Sequence, residues 1–304
     1  MFGTISYWLF NMSIIASLMG LIVMLIRKIK RIPRRFEIIL WIIPFLRMVV
    51  PFGINSSFGL MALISKFTTR TVTVYETKDS FELSMTNSIM AAKSYSPITY
   101  EYNILENIFN IAGLVWIIIA TALIMTLTIM YVITKKEIKD SIPIEGNVYL
   151  SDKVGSPAVY GVIKPRIIIP SSYENTDLKY IIRHEKTHIK RGDNFWRLLG
   201  FLVACVHWFN PLSWIFLNAF LEDLEIACDE SSVSKLDIEE RKEYARTLLN
   251  SASGKNVFVS AFGGAKVRTR IESILSYKRM TVFSAIGFSV LIIAIIFALV
   301  TNAG

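Results

Sequence analysis

Four stretches of the chain, Tyr7 to Ile26, a broken run from Phe36 towards Ile64, Ile111 to Ile133, and Val282 to Val300, constrain the fold before any motif is read. Each approaches or exceeds the roughly 20 apolar residues that a helix needs to cross a hydrocarbon core of about 30 Å. With 53% hydrophobic residues in 304 and a mean hydropathy of +0.48, the chain is too apolar for an ordinary soluble domain. The first run is long for the apolar part of a signal peptide and no basic residue precedes it, so it is expected to stay as a span. The second contains Pro44, Arg47, Pro51 and Gly53, which predict a kinked helix. Arg47 is costly in lipid; it serves a function, snorkels outward, or pairs with Glu106 or another carboxylate of the bundle.

The net charge of +9 points to topology rather than to nucleic acid, and no direct nucleic-acid contact is expected. Its densest cluster, Arg27, Lys28, Lys30, Arg31, Arg34 and Arg35, lies between the first two runs, where the positive-inside rule places a cytoplasmic turn. The N-terminus is then outside, Lys66 to Asn110 forms an external loop, Lys135 to Met280 is cytoplasmic, and the C-terminus is outside. The alternation in that loop reads as a short strand or hairpin without ligand chemistry, hence a connector. Cys205 and Cys228 both fall on the reducing side, so no disulfide is expected.

Within the cytoplasmic part, DLKYIIRHEKTHIKRGDNF holds two of the three histidines of the chain, in the pattern HExxH. On a helix, residues four apart share a face, so His184 and His188 can grip one cation while Glu185 addresses a water beside it. Thr176 or Asp177 is the expected N-cap of this helix and Gly192 its stop. Before it, Asn147 to Leu150, Ala158 to Val162 and Arg166 to Ile169 read as short strands between turn formers. Such a sheet either packs on the helix or offers an edge strand to an extended peptide.

After it, Phe195 to Phe220 is apolar enough to cross but is broken at His207-Trp208-Phe209-Asn210-Pro211. A crossing would also move Arg241, Lys242, Arg268, Arg270, Lys278 and Arg279 outside, against the charge rule. The segment is therefore read as a re-entrant helical hairpin that dips into the membrane or packs on the bundle. Next comes LEDLEIACDE, in which Glu225 and Asp229 are four apart. Two histidines and a glutamate are an established zinc set with a position left open for water, and an acid one turn on can hold the outer ring nitrogen of a ligating histidine. Glu225 is thus the expected third ligand and Asp229 its supporting acid; the plainer alternative is a solvated acidic face. His207 is the rival third ligand, a cleft residue that polarises the substrate carbonyl, or a buried hydrogen-bonded group.

The linked motifs SPAVYGVIKPRIIIP, IIRHEKTHIKRGDNFWRLL, VHWFNPLSW and LEIACDE, spread over Val148 to Leu236, resemble in order and spacing the BlaR/MecR-type membrane zinc peptidases, antirepressor signal transducers of Gram-positive bacteria. The resemblance implies Zn2+ on His184, His188 and Glu225, with Glu185 as catalytic base. It also implies a mainly α integral membrane protein with four transmembrane helices and a cytoplasmic, gluzincin-like zinc protease domain. Expected boundaries are 1–134 for three spans with their basic turn and external loop, 135–250 for the protease with its membrane-associated hairpin, 251–280 for a cytoplasmic linker and 281–304 for the last span. Beta-lactam-sensing members continue into an extracellular penicillin-binding domain, which this sequence, ending at Gly304, does not include; beta-lactam binding is not implied. The expected partners are the lipid bilayer and a cytoplasmic protein substrate such as a winged-helix repressor, and a homodimer is compatible with the resemblance. The expected role is signalling by proteolysis, as in antibiotic-resistance regulation. Self-cleavage within Ser251 to Arg270, which contains Gly254, Gly263 and Gly264, is a further implication; a plain connecting loop is the alternative. The competing functions are a prenyl-protein or quality-control membrane zinc peptidase, and a non-catalytic signalling protein with a structural metal.

Overall fold

A computed structural model describes residues 2–29, 32–50, 55–56, 104–173, 178–252, 267–277, 281–300 and 302–303. The linker glycines, most of the external loop and the end of the second apolar run lie outside the described residues, as do Thr176 and Asp177; the HExxH helix starts at Lys179 with Leu178 as its N-cap, so neither of those two takes the expected place. The first run is α1 (Phe2–Ile26). The second is two short helices, α2 (Arg34–Leu40) and α3 (Ile42–Val49). The expected kink falls at Trp41, because Pro44 has no N–H to give to the Leu40 carbonyl and its ring crowds that oxygen. Arg47 turns inward and is buried, not snorkelled outward. The third run is the centre of α4 (Ile104–Glu137), which also absorbs residues 104–110, assigned above to the external loop.

Among the described residues, Ile5–Ile26 and Asn107–Asp140 qualify by length and composition to cross a membrane, and Val282–Ala298 is a shorter apolar helix. The two qualifying helices differ in role: 56% of the α1 window is buried inside the protein but only 11% of the α4 window. Most of the α4 surface is thus apolar and uncovered by the protein, whereas α1 is the inner helix and buries Ser6, Asn11 and Ser13 against its neighbours.

A four-stranded sheet precedes the HExxH helix. It comprises β1 (Ile142–Glu145), β2 (Val148–Ser151), β3 (Ala158–Tyr160) and β4 (Arg166–Pro170), in spatial order β1-β2-β4-β3. The sequence pattern missed β1, whose residues are all exposed and so carry no alternation to read. The pairing is antiparallel for β1/β2 and β4/β3 and parallel for β2/β4, with Ile167, Ile168 and Ile169 wholly buried.

The helices α5 (Lys179–Arg191) and α6 (Asp193–Val206) meet at Gly192, whose φ of +69° is the left-handed corner that lets one helix stop and the next start at once. The break after α6 is chemically determined: the Asn210 side chain caps α7 (Pro211–Val233) by accepting from Leu212 N–H at 3.0 Å, and Pro211 sits at the first helical position. Asn210 also donates to Ser13 and Ser17 of α1 at 2.7 and 2.8 Å, fastening the hairpin tip to the inner span. The hairpin therefore packs on the bundle. Its core joins α1, α2, α3, α6 and α7 around Met19, Trp41 and Phe216. Gly20 lets Phe216 in, since a Cβ there would meet the ring at 2.2 Å. The chain closes with α8 (Ile238–Ala252), α9 (Val267–Ser276) and α10 (Val282–Val300).

The basic turn is held by one face of α7. Arg27 forks onto Asp223 at 2.9 and 3.0 Å and also reaches Glu222. Trp41 Nε1 donates to Asp223 at 2.9 Å, and the backbone N–H groups of Arg34 and Arg35 donate to Glu230. Asp223 is fully buried, and a carboxylate in that position requires cationic and hydrogen-bonding partners. Replacing Asp223 by Ala removes the shared acceptor and is expected to cost about 3–5 kcal/mol, read as a lowered thermal midpoint of the detergent-solubilised protein. Glu239→Ala, at an exposed position, should leave the midpoint unchanged.

Candidate metal centre

The other face of α7 meets α5. Arg183 Nε donates to the Ser232 carbonyl at 2.8 Å, Ser232 Oγ to Thr187 at 2.9 Å, and Arg191 Nη1 to Ser231 Oγ at 3.2 Å. This seam sets Glu225 opposite the buried faces of His184 and His188.

The two histidine rings are pinned by their outer nitrogens. His188 Nδ1 lies 2.6 Å from Asp193 Oδ2. His184 Nδ1 lies 2.7 Å from the Tyr244 hydroxyl and 3.2 Å from Asp229 Oδ1, and Tyr244 in turn donates to Asp229 at 2.8 Å. With acids behind them, both Nδ1 atoms act as donors, which leaves each Nε2 as the position that a proton or a metal ion can take. These two Nε2 atoms face each other at 3.0 Å, and the Glu225 carboxylate is 3.6 Å from each. Ligands at about 2.0–2.1 Å from a tetrahedral ion stand about 3.3 Å apart, so the donor set fits a small cation.

Electrostatics favour positive charge at this point. Burial pushes His188 down, but Cys228, Glu225 and the bond to Asp193 hold it up at about 9. Burial likewise opposes protonation of His184, yet Cys228, Tyr244 and Asp229 raise it well above its ordinary value. Burial pushes Glu225 up, and His188, Arg197 and Arg270 bring it well below the usual carboxylate range. Two ring nitrogens and the Glu225 carboxylate converge here, flanked by Arg197 and Arg270, at a point that holds a proton or another cation strongly.

The structure brings together His184, His188, Glu225 and Asp229, and it adds residues that sequence reading passed over. Cys228 Sγ is 3.7 Å from His184 Nδ1 and forms, with both histidines, a cluster whose ligand atoms lie within 4.8 Å of one another. Its thiol is raised by burial but pulled below its ordinary value overall by His184 and His188, as suits a metal-binding sulfur. Asp193, Tyr244, Arg197 and Arg270 complete the surroundings; only Asp193, in RGDNF directly after the motif, was near enough in sequence to be found there. The acids of α7 are not a solvated face: Asp223 and Asp229 have no exposure at all.

His207 is not part of the cluster. It is fully buried at the end of α6, with Nε2 2.9 Å from the Met48 carbonyl of α3. It takes the hydrogen-bonded role because its place in the hairpin turn joins two helices of the bundle. Glu185 is buried on α5, and its charge, after burial itself, raises the phenol of Tyr160 on β3. That strand is a sheet edge beside α5. Val159 stands opposite Ile167, whose N–H is bonded to Asn147 on the far side, so the Val159 backbone faces outward. Asn194 Nδ2 donates to the Val159 and Gly161 carbonyls at 3.0 and 2.9 Å and holds the edge against the start of α6.

Compared with known proteins, residues 7–275 match the family described as BlaR1 peptidase M56. Regulatory protein BlaR1 of Bacillus licheniformis is 28% identical over 138 residues, 42% of this chain and 23% of that protein. The methicillin resistance mecR1 protein of Staphylococcus aureus is 25% identical over 141 residues, 43% of this chain and 24% of that one. Regulatory protein BlaR1 of the same organism is 29% identical over 125 residues, 38% and 21% of the two chains. The matched stretch spans less than a quarter of each relative's length. Membrane association agrees with these relatives and with the two long apolar helices, and peptidase character holds at the level of the family. Since the match covers most of its length, the chain belongs to the BlaR1 peptidase M56 family.

Proposed function

We propose that the protein is a membrane-embedded zinc endopeptidase acting in signal transduction, with His184, His188 and Glu225 as ligands and Glu185 as general base. The observation that carries this reading is the pair of Nε2 atoms 3.0 Å apart with the Glu225 carboxylate 3.6 Å from each. When bound, zinc supplies a water acidic near neutral pH and a Lewis acid for the scissile carbonyl. Glu185 takes the proton of the attacking water and passes it to the leaving amine. Asp193 and Asp229, with Tyr244, hold the two imidazoles in the tautomer that turns Nε2 inward.

The reading places four spans around a cytoplasmic protease, with the boundaries expected from the sequence. What supports a cytoplasmic site is α7: it binds the basic turn through Glu222, Asp223 and Glu230 and presents Glu225 to the histidines. Turn and site thus share a side of the bilayer, and the positive-inside rule makes it the cytoplasm. The substrate class is a cytoplasmic protein. Relatives named as a regulatory protein and a methicillin resistance protein support a transcriptional repressor in that role.

Cys228 favours a second reading. A set of two histidines, Glu225 and Cys228 would close all four positions, as in a structural metal site. We favour Glu225 as third ligand because its carboxylate lies 3.6 Å from each Nε2, whereas Cys228 Sγ contacts His184 at Nδ1, 3.7 Å, and at its carbonyl, 3.6 Å.

Glu185→Gln is expected to keep zinc and lower cleavage of a candidate repressor by about 10²–10⁴-fold, whereas His184→Ala loses both; a zinc-loaded Glu185→Gln protein that cuts at the wild-type rate would overturn the assignment. Cys228→Ser should retain bound zinc and cleavage, and Glu225→Gln should lose the metal, both read by metal analysis and gel assay on the purified full chain. Loss of the metal in both Cys228→Ser and Glu225→Gln, with no cleavage by the zinc-loaded wild type, would establish the closed, structural site.

A further inference from the structure

Arg270 comes from α9, 41 residues beyond Asp229 in sequence, yet its guanidinium lies inside the candidate metal centre. Nε donates to Asp229 Oδ2 at 2.6 Å and Nη2 to Oδ1 at 2.9 Å, a two-point fork on a carboxylate with no solvent exposure. Nη1 is 3.4 Å from Glu225 Oε2, and Nη2 is 3.3 Å from His184 Nε2. The Arg270 side chain is only 13% exposed. On the same helix, Ile274 is wholly buried in one cluster with Tyr180, Val233 and Tyr244, and Arg241 Nη1 donates to the Tyr277 carbonyl at 2.8 Å just past its end.

We propose that Arg270 is a positioning residue of the metal centre: it clamps Asp229 and flanks Glu225, so that ligand geometry at His184 and Glu225 requires α9 to be docked. This rests on the zinc reading above. A buried carboxylate that loses its fork is left without its counter-charge and does not stay in place. Asp229 would then release both the Tyr244 hydroxyl and the His184 Nδ1–H that it fixes. The guanidinium fork fits two carboxylate oxygens at once, which a lysine ammonium cannot do.

The test uses the purified full-length protein in detergent, with Zn2+ affinity measured against a competing chelator and Co2+ absorption as a probe of ligand geometry. Arg270→Ala is expected to bind Zn2+ at least about tenfold more weakly, as loss of an outer-shell partner does, with a changed Co2+ spectrum. Arg270→Lys should fall between it and the wild type. Arg268→Ala, an exposed position on the same helix that pairs with Glu272, should match the wild type. Wild-type affinity and spectrum in folded Arg270→Ala would overturn the proposal. Should Arg270→Ala fail to fold, Arg270→Lys decides: equality with the wild type would mean that charge alone matters, against a positioning fork. Wild-type protein that took up neither ion would remove the metal centre itself, and the role of Arg270 with it.

Discussion

The architecture depends on burying carboxylates along one helix. Asp223 and Asp229 of α7 have no solvent exposure and the Glu225 side chain is 14% exposed, and each such group must be met by a cation or by hydrogen-bond donors. On one face the answer is the basic turn with Arg27, Arg34 and the Trp41 indole. On the other it is the pair of histidines with Arg197, Arg270 and Tyr244. A single helix therefore fixes the turn between two apolar runs and the position of the HExxH helix, and neither can move without stranding charge.

This arrangement gives the proposed peptidase its setting. The hairpin of α6 and α7 is anchored at its tip by Asn210 to the inner span α1, while the far half of α7 reaches the site. The sheet stands beside α5 with β3 as its edge, near Glu185, so an extended chain lying along that edge would pass the candidate base. Asn194 already holds the outward carbonyl of Val159, which makes the edge a rigid wall as much as a docking rail.

Much of the fold was legible because long apolar helices announce themselves by run length and punctuation. Gly192 and Asn210-Pro211 were read as breaks, and both break the chain for the stated reasons: a left-handed corner, and a cap followed by a ring that cannot donate. Strands β2, β3 and β4 were visible as β-branched runs between turn formers. The split at Trp41 was placed only loosely, since a proline shows that a helix is disturbed, and the geometry of the preceding turn shows where. His184, His188, Glu225 and Asp229 were found by spacing, because positions four apart share a helix face in any context.

Tyr244 and Arg270 were not found, since their proximity to His184 is set by packing between elements far apart in the chain, and Cys228 and Arg197, though inside the quoted motifs, carry no ligand spacing that singles them out. His207 showed the converse: a rare residue beside a turn invited a catalytic reading, and burial against Met48 gave it a structural one. The sequence by itself determined that apolar helices and an HExxH helix exist and that an acidic pair follows. Only the tertiary structure decided which acids face the histidines and which face the basic turn, because that depends on the angle and seam at which α7 crosses α5 and α2. Local periodicity carries no information about a crossing.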